Sequence, residues 1–593
     1  MTETLNILFS QPFLIRAFIV GVFVSLCCAL LGVSLVLKRF SMIGDGLSHV
    51  GFGAMAIGAA AGVAPLYFAL PIVIIAAFLL LKMSERGKIK GDAAIALIST
   101  GALAVGVMVT SMTTGMNVDL YNYMFGSILT MSESDVVIAS ALSCVVILLY
   151  SIFYNEIFAV TFDESFAKAT GTKTALYNML ISALTAVTIV IGMKMMGALL
   201  ISSLIIFPSV TSMRLCKSFK RVVITSSAIS VFCFLSGLIV SIKYEAPTGA
   251  SVVCMNIFVF FVFSLIKAVL SLNKSVAIKK VLTVGICLVS FLGFGTLMLY
   301  GDGEAYKKEK TTVVATTFAQ YDFAREIAGD KADIIMLLAP GEESHTYEPT
   351  PEDIMKIQQC DVFVYGGGES DKWVDNILQT VDEKVKVIKM MNVTELCESD
   401  HDHENEEEHS HDHEEEYDEH VWTSPLNAVK ITRAICDALT ECDKANKEAY
   451  ESNAEKYIQK LMELDSEFEK LFSDNSDKFI IVADRFPFKY FAVRYDVNYY
   501  AAFPGCSAQT EANPKTIADL INKAKQSNIG VIFKVDLSKG NVANTIAEGC
   551  GAEVETLYSC HVISADDFAS GETYLSLMNR NLQSIKNSFQ SQS

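Results

Sequence analysis

The 593-residue sequence lacks the short motifs that would make it a nucleotide-hydrolysing enzyme or a metallohydrolase. No G-x-x-x-x-G-K-[ST] phosphate loop occurs, and the run Gly366-Gly367-Gly368-Glu369 lacks the lysine and hydroxyl that hold phosphate and magnesium. No H-E-x-x-H zinc-protease motif occurs, and no general base stands beside a ligand pair. We therefore expect a chain that is not an enzyme, with any ATP hydrolysis on a separate polypeptide.

Cysteine is present, but its spacing is not that of a zinc finger or of a disulfide framework. The 14 cysteines divide evenly, and the seven in the second half form no C-x-x-C pair. An odd number without paired spacing predicts buried free thiols. Cys506 and Cys560 are the one candidate bridge.

Basic residues are too few in the second half for a nucleic-acid partner. Residues 301–593 hold 28 Lys and Arg against 55 Asp and Glu, a balance of −27, which phosphates would repel. Residues 1–300 hold 19 against 11, a balance of +8, in a chain that is 51% hydrophobic. The sequence thus predicts an apolar, mildly basic membrane half joined to a soluble, acidic half.

Histidine is scarce, and its distribution is the most informative feature of the sequence. Five of the 9 histidines lie in the acidic run 399–418, which we call the His/acidic loop: His401, His403, His409, His411 and His413. Imidazoles and carboxylates attract transition metals, but a run this polar cannot bury a core. We predict a mobile loop that gathers metal weakly; the alternative is a solvated acidic loop with incidental histidines. A tight site is expected among the isolated His49, His345, His420 and His561.

Ten apolar segments in the first half are long enough to cross a bilayer. Basic clusters at 38–39, 82–90, 217–221 and 267–280 predict which loops are cytoplasmic, and Lys194 is the exception to that rule. Ten spans then place both termini, and the acidic half, outside the cytoplasm. The predicted spans are 13–37, 46–64, 65–82, 93–113, 135–154, 174–193, 195–214, 222–242, 250–270 and 280–299.

Two stretches of the membrane half could carry function. Asp45 and His49 are four residues apart, on one face of a helix, where they could line a pathway or cap a helix at the interface. The stretch 161–171 is amphipathic and ends in a glycine, as in a docking helix or a plain loop. Together with 42–53, 197–208 and 247–249, it resembles the permeases of zinc/manganese ABC importers over about residues 10–272. That resemblance implies a permease dimer in membrane lipid and an ATPase docked at 161–171.

The acidic half alternates short apolar runs with helical patterns, which predicts two α/β lobes joined by one long helix. The stretches 341–351 and 419–425 resemble the metal-binding proteins that serve the same importers, over about residues 310–590. The predicted fold class is therefore multi-domain: a polytopic all-α membrane domain followed by a two-lobed α/β metal-binding domain. The predicted boundaries are 1–275 for the permease, 276–310 for an anchoring helix and linker, and 311–593 for the binding domain.

The resemblance also implies a ligand set for the tight site. His345 and His420 each precede a proline-bearing helix start, where α/β proteins place ligands. Asp484 lies near the turn where the family carries its third ligand, and His561 stands where the family's last aspartate is expected. Glu511 or Cys560 could take the place of Asp484. Three imidazoles and one carboxylate suit Zn²⁺ better than Mn²⁺, which prefers more oxygen ligands.

The sequence predicts a component of a high-affinity divalent-metal importer in the cell membrane, with Zn²⁺ as the expected cargo and Mn²⁺ or Fe²⁺ as alternatives. Asp45 and His49 would relay the metal through the membrane. A membrane-anchored metal sensor is the competing class of function, but a sensor does not need about ten spans.

Overall fold

The computed structural model describes residues 8–9, 11–61, 63–85, 91–112, 128–129, 131, 133–244, 246–272, 275–299, 310–342, 347, 349–397, 417–475, 479–503 and 514–591. The chain forms two compact units. The first contains Met1–Ala305, and the second contains Tyr306–Tyr347 and Asp353–Ser593.

The first unit is helical throughout the part that the structure describes. Its helices are α1 Pro12–Leu37, α2 Ile43–Ala60, α3 Pro65–Glu85, α4 Gly91–Met112, α5 Glu133–Ile152, α6 Tyr154–Phe162, α7 Glu164–Ala169, α8 Thr174–Met196, α9 Ala198–Leu215, α10 Phe219–Tyr244, α11 Thr248–Ser271 and α12 Val276–Leu299.

All ten predicted spans coincide with helices of this unit, the two short helices α6 and α7 being additional. Six are long and apolar enough to cross a membrane among the residues described: α1, α5, α8, α9, α10 and α11. Shorter apolar stretches lie within α3 and α4. The unit has the all-α membrane architecture that the sequence predicted.

The glycines of α2 allow a neighbouring backbone to approach this helix closely. A Cβ added to Gly53 would lie 2.5 Å from the carbonyl oxygen of Ala102 on α4. A Cβ on Gly106 would lie 2.9 Å from the Cα of Gly53. Small residues at such crossings let membrane helices pack backbone against backbone. The glycines of α2 therefore fix how this span packs against α4.

Lys194, the exception to the charge rule, lies in the last turn of α8 and not in a loop. Its Nζ is 2.7 Å from Oδ1 of Asp135 at the start of α5. A second ion pair joins Arg16 of α1 to Glu133, also at 2.7 Å. The basic charge of Lys194 is therefore paired with a carboxylate.

The second unit contains two four-stranded sheets, both entirely parallel. The first has the order β2-β1-β3-β4 and the second β6-β5-β7-β8. In the first, Val313 of β1 pairs with both Ile334 and Val362. The strands are β1 Thr311–Ala315, β2 Ala332–Met336, β3 Val362–Tyr365, β4 Lys386–Lys389, β5 Phe479–Val482, β6 Asn498–Ala501, β7 Val531–Val535 and β8 Glu553–Leu557.

Helices cover these sheets and one of them joins the lobes. The helices are α13 Phe318–Ala328, α14 Pro351–Gln359, α15 Lys372–Leu378, α16 Pro425–Cys442, α17 Lys447–Ser473, α18 Lys489–Tyr495, α19 Pro514–Gln526, α20 Asn541–Cys550, α21 Ala565–Ala569 and α22 Tyr574–Ser591. The long α17 contacts α13 and α16 of the first lobe and α18 and α22 of the second.

One apolar cluster runs through both lobes, and a second lies within the second lobe. The first cluster includes Phe318 of the first lobe, Tyr457 and Phe468 of α17, and Phe533 of the second lobe. Burying one face of α17 against helices of both lobes stabilises their packing, because apolar area removed from water is the main favourable term in folding. The predicted two-lobed α/β architecture with a connecting helix is confirmed.

Candidate metal centre

The candidate centre lies where strands of both lobes end. Parallel strands present their carboxyl ends at one edge of a sheet, and ligands bind there in α/β proteins. Ser370 follows β3, and His561 follows β8. The backbone N–H of Phe318, just after β1, donates to the carbonyl oxygen of His561 at 3.2 Å. This bond joins the ends of strands from the two sheets.

His420 is held by a tight turn before α16. The 3₁₀ turn Val421–Thr423 follows it, and Thr423 donates to the His420 carbonyl from both its N–H at 3.1 Å and its hydroxyl at 2.8 Å. Pro425 then opens α16, where its missing N–H costs nothing. The turn therefore fixes the backbone that presents the imidazole.

Trp422 positions the two imidazoles relative to each other. Its indole N–H donates to the carbonyl of Ser559 at 2.9 Å, which ties the His420 turn to the segment that carries His561. The centroids of the His420 and His561 rings are 5.2 Å apart and nearly perpendicular. Two of the four isolated histidines thus meet at one place.

Glu419 completes the group, and the sequence analysis missed it. One potential ligand atom from each of Glu419, His420 and His561 lies within 4.8 Å of the others, and all three residues are buried. A carboxylate oxygen and two imidazole nitrogens are a donor set for a divalent transition metal. Among the residues that the structure describes, no other group of three metal-ligating side chains comes this close together.

The triple-glycine turn after β3 gives Glu419 its place. The backbone N–H of Ser370 donates to Oε2 of Glu419 at 2.9 Å. A Cβ on Gly368 would lie 2.2 Å from the Cβ of Glu419, so only glycine fits there. Burial, and then the charge of Glu419, raise the pKa of Asp371 to about 7. The glycine run is therefore part of a carboxylate pocket and not a phosphate loop.

A second carboxylate orients His420. Asp418 Oδ1 accepts the His420 backbone N–H at 2.8 Å and lies 3.1 Å from its ring Nδ1. Burial alone would lower the pKa of His420, but the charge and hydrogen bond of Asp418, with Glu419 and Asp536, raise it. Metal-binding histidines in proteins usually have such a carboxylate behind the ring, which fixes its tautomer and orientation.

Asp484, the predicted carboxylate ligand, is not a member of the converging group. It is half-buried after β5, and its Oδ1 accepts the N–H of Arg485 at 3.0 Å. Its neighbour Asp536 follows β7 and accepts the N–H of Ser559 at 3.0 Å. Burial, with a contribution from the Asp484 charge, raises the pKa of Asp536 to about 6. Asp536 therefore adds negative charge beside His420, and Asp484 adds charge beside Asp536.

The remaining predicted ligands lie partly outside the described residues. His345, Glu511, Cys506 and the five loop histidines are among those outside. Cys560 is a buried free thiol in the apolar core and is not in the converging group. Four residues before His345, the N–H of Gly341 donates at 2.8 Å to the carbonyl of Ile563, two residues after His561. That bond brings the chain leading to His345 beside the chain leaving His561.

Comparison with known proteins covers both halves. Residues 313–588 match the family ZnuA, described as zinc-uptake complex component A periplasmic, and residues 10–268 match the ABC 3 transport family. The high-affinity zinc uptake system protein ZnuA of Bacillus subtilis is 32% identical over 306 residues, which are 51% of this chain and 94% of that protein. The chain belongs to the ZnuA family. We call the part that matches it the ZnuA half, and the part that matches the ABC 3 transport family the ABC 3 half.

A further relative and a solved structure of its domain match the ZnuA half. The zinc-binding lipoprotein AdcA of Streptococcus pneumoniae (strain R6) is 32% identical over 284 residues, 47% of this chain and 55% of AdcA. The chain therefore spans about half the length of that relative. The Zn(II)-bound ZnuA-like domain of the same AdcA, a solved structure, has 30% identity, a TM-score of 0.40, and coverage of 47% of this chain and 99% of that domain.

In the ABC 3 half, the predicted pathway pair meets within α2. Oδ1 of Asp45 lies 3.9 Å from Nε2 of His49, and the side chains are 45% and 21% exposed. Nδ1 of His49 lies 2.8 Å from the hydroxyl of Ser99 on α4. The structure therefore places the pair as the sequence predicted, one helical turn apart, and adds Ser99 as a partner.

The predicted docking stretch forms the short helices α6 and α7. Asp163 accepts the N–H of Phe166 at 2.9 Å and so caps α7. Phe162 and Phe166 are exposed, whereas Ala167 is buried. Oε1 of Glu164 accepts the amide of Asn178 at 2.9 Å, and Oδ1 of Asn178 accepts from Nζ of Lys38 at 2.5 Å. These bonds anchor α7 to the end of α1 and the start of α8. One exposed aromatic ring lies on each of α6 and α7.

Proposed function

We propose that this chain is the fused permease and substrate-binding component of an ABC importer for a divalent metal, with Zn²⁺ as cargo. The observation that carries the proposal is the buried convergence of Glu419, His420 and His561 in a ZnuA-family domain that continues from an ABC 3 permease-family domain. Capture would occur in the acidic half, and transfer through the membrane in the apolar half.

The donor set supports zinc over manganese. Zinc favours four ligands, with imidazole nitrogen and carboxylate oxygen at about 2.0–2.2 Å, so that neighbouring ligand atoms lie roughly 3.4 Å apart. Ligand atoms within 4.8 Å of one another need only small movements to reach that spacing. Mn²⁺ and Fe²⁺ remain the runner-up cargoes, because they favour more oxygen ligands and higher coordination numbers.

We propose His345 as the fourth ligand, because Gly341 ties the preceding chain to Ile563 beside His561. For the carboxylate, we propose Glu419 in place of Asp484. Glu419 lies in the converging group, and Ser370 and Gly368 hold it there. Asp484, the carboxylate ligand predicted from the sequence, would then contribute negative charge without binding the metal.

The membrane half would receive metal from a domain on the outer side of the membrane. Positively charged loops are cytoplasmic in most membrane proteins, and an even number of spans returns the chain to the side on which it began. Fusion would fix one binding domain per permease and keep its local concentration high. Asp45 and His49 would offer one oxygen and one nitrogen to the passing ion.

A separate ATPase would dock on α6 and α7. The exposed rings of Phe162 and Phe166 give an apolar contact surface at a position where the basic loops predict the cytoplasm. The bonds from Glu164 through Asn178 to Lys38 would carry movement of this surface to the turn before Asp45. Two permease chains would pair, since the resemblance implies a homodimer.

A zinc titration of the purified full-length chain tests the site. His561→Ala should lower zinc affinity by about 100-fold or more, because loss of a ligand should exceed the 10–100-fold typical of losing a supporting residue. Glu419→Gln should weaken binding more than Asp484→Asn, while His409→Ala, a loop histidine, should leave the tight site unchanged. Affinity would be measured by competition with a chromophoric chelator. Wild-type affinity in His561→Ala would contradict the proposed site.

A further inference from the structure

Tyr490 of α18 reaches across to the segment that carries His420. Its hydroxyl accepts the backbone N–H of Cys397 at 3.2 Å and donates to the carbonyl oxygen of Asp418 at 2.8 Å. The carbonyl of Cys397 in turn accepts the N–H of Asp418 at 3.1 Å. One hydroxyl therefore closes the two ends of the chain segment that contains the His/acidic loop.

The same hydroxyl connects to the candidate ligand through Asp418. The carboxylate of Asp418 accepts the His420 N–H and faces its ring Nδ1 at 3.1 Å. Tyr490, Asp418 and His420 are each at most 5% exposed. Burial raises the pKa of Tyr490, so its hydroxyl stays protonated and remains a donor at neutral pH. Water is largely excluded from this chain of hydrogen bonds, which makes each one costly to lose.

We propose that Tyr490 is a positioning residue for the metal centre: its hydroxyl fixes Asp418, and Asp418 fixes the rotation and tautomer of the His420 ring. The inference rests on the proposed function, in which His420 binds the metal. Because α18 belongs to the second lobe and His420 leads into α16 of the first, the bond also makes ring orientation depend on the arrangement of the lobes.

Tyr495 provides a matched control on the same helix. Its hydroxyl is buried and donates to Oδ1 of Asp465 on α17 at 2.7 Å. Tyr495→Phe therefore removes one buried hydroxyl from the same helix, as Tyr490→Phe does, but from a bond that joins α18 to α17 and not to Asp418. Any general loss of packing or stability should appear in both variants.

The experiment compares full-length Tyr490→Phe, Tyr495→Phe and Asp418→Asn with the wild type. Zinc affinity is measured by chelator competition, the geometry of the centre by the visible absorption of the Co²⁺-loaded protein, and stability by thermal unfolding of metal-free protein. Tyr490→Phe should weaken zinc binding about tenfold and Asp418→Asn more, within the 10–100-fold range of residues that support metal ligands. Both should alter the Co²⁺ spectrum. Tyr495→Phe should lower the unfolding midpoint while keeping the wild-type affinity and spectrum.

Wild-type affinity and spectrum in Tyr490→Phe would overturn the inference, as would an equal loss of affinity in Tyr495→Phe. His420→Ala separates this inference from the proposed function. If His420→Ala binds zinc as the wild type does, the proposed site is wrong and the inference falls with it. If His420→Ala loses zinc while Tyr490→Phe does not, the inference alone is wrong.

Discussion

The chain contains two histidine–carboxylate pairs, one in each half, and their surroundings differ. In the ZnuA-family half, His420 and Asp418 lie 3.1 Å apart with both side chains at most 4% exposed. In the ABC 3 half, His49 and Asp45 lie 3.9 Å apart with 21% and 45% of their side chains exposed. The residue types are the same, so the two pairs differ in burial and in the groups that contact each imidazole ring.

Under the proposed function, this difference would separate a site that holds the metal from a pair that passes it on. Behind His420 stand Asp418 and, through it, Tyr490, while Glu419 and His561 complete a buried group. Among the residues that the structure describes, the His49 ring contacts the hydroxyl of Ser99. A buried, braced ring keeps its ligand geometry when the metal leaves and so binds tightly. A more exposed pair with a single partner suits brief contact with an ion in transit.

Removing the Asp45–His49 pair should have the largest effect on zinc transport and no effect on zinc binding. Asp45→Ala with His49→Ala should reduce zinc uptake at least tenfold, because an ion at membrane depth would lose both of its polar contacts. Zinc affinity of the purified chain should stay at the wild-type value. Uptake of radioactive zinc by cells that depend on this chain measures the first, and chelator competition the second. Unchanged uptake in the double variant would refute the relay.

Removing the His/acidic loop should reduce zinc uptake less than removing the Asp45–His49 pair does. Deletion of 400–416 should slow capture when zinc is scarce and leave the affinity of the tight site within about threefold of wild type, because such polar tracts gather metal weakly. The deletion must end before Tyr417, since Asp418 is a buried partner of His420 and not part of a solvated run. Growth under chelation measures the effect, and equal growth of parent and deletion strains would argue against a reservoir role.

Much of the fold could be predicted from the sequence, because the signals were local. Apolar runs of span length marked ten helices, and alternation of strands with helices marked the two parallel sheets. His420 and His561 stood out because histidine is so scarce elsewhere. These predictions needed only composition, length and period along the chain.

The parts that were missed depend on contacts between distant segments. Glu419 looked like one more acid at the end of an acidic run, and only the close approach of Gly368 and the bond from Ser370 mark it as a member of the site. Asp418 was assigned to the loop for the same reason. The run Gly366-Gly367-Gly368, two residues before Ser370, was the one signal available in the sequence, because such a run permits a close backbone approach.

The most direct test of the account is zinc transport by purified components. The full-length chain would be reconstituted into lipid vesicles with and without the proposed ATPase, and zinc accumulation would be followed with an enclosed indicator. We expect accumulation only when both the ATPase and ATP are present, with zinc favoured over manganese when the two compete. ATP hydrolysis by the chain alone, or no accumulation with both polypeptides and ATP, would contradict the account.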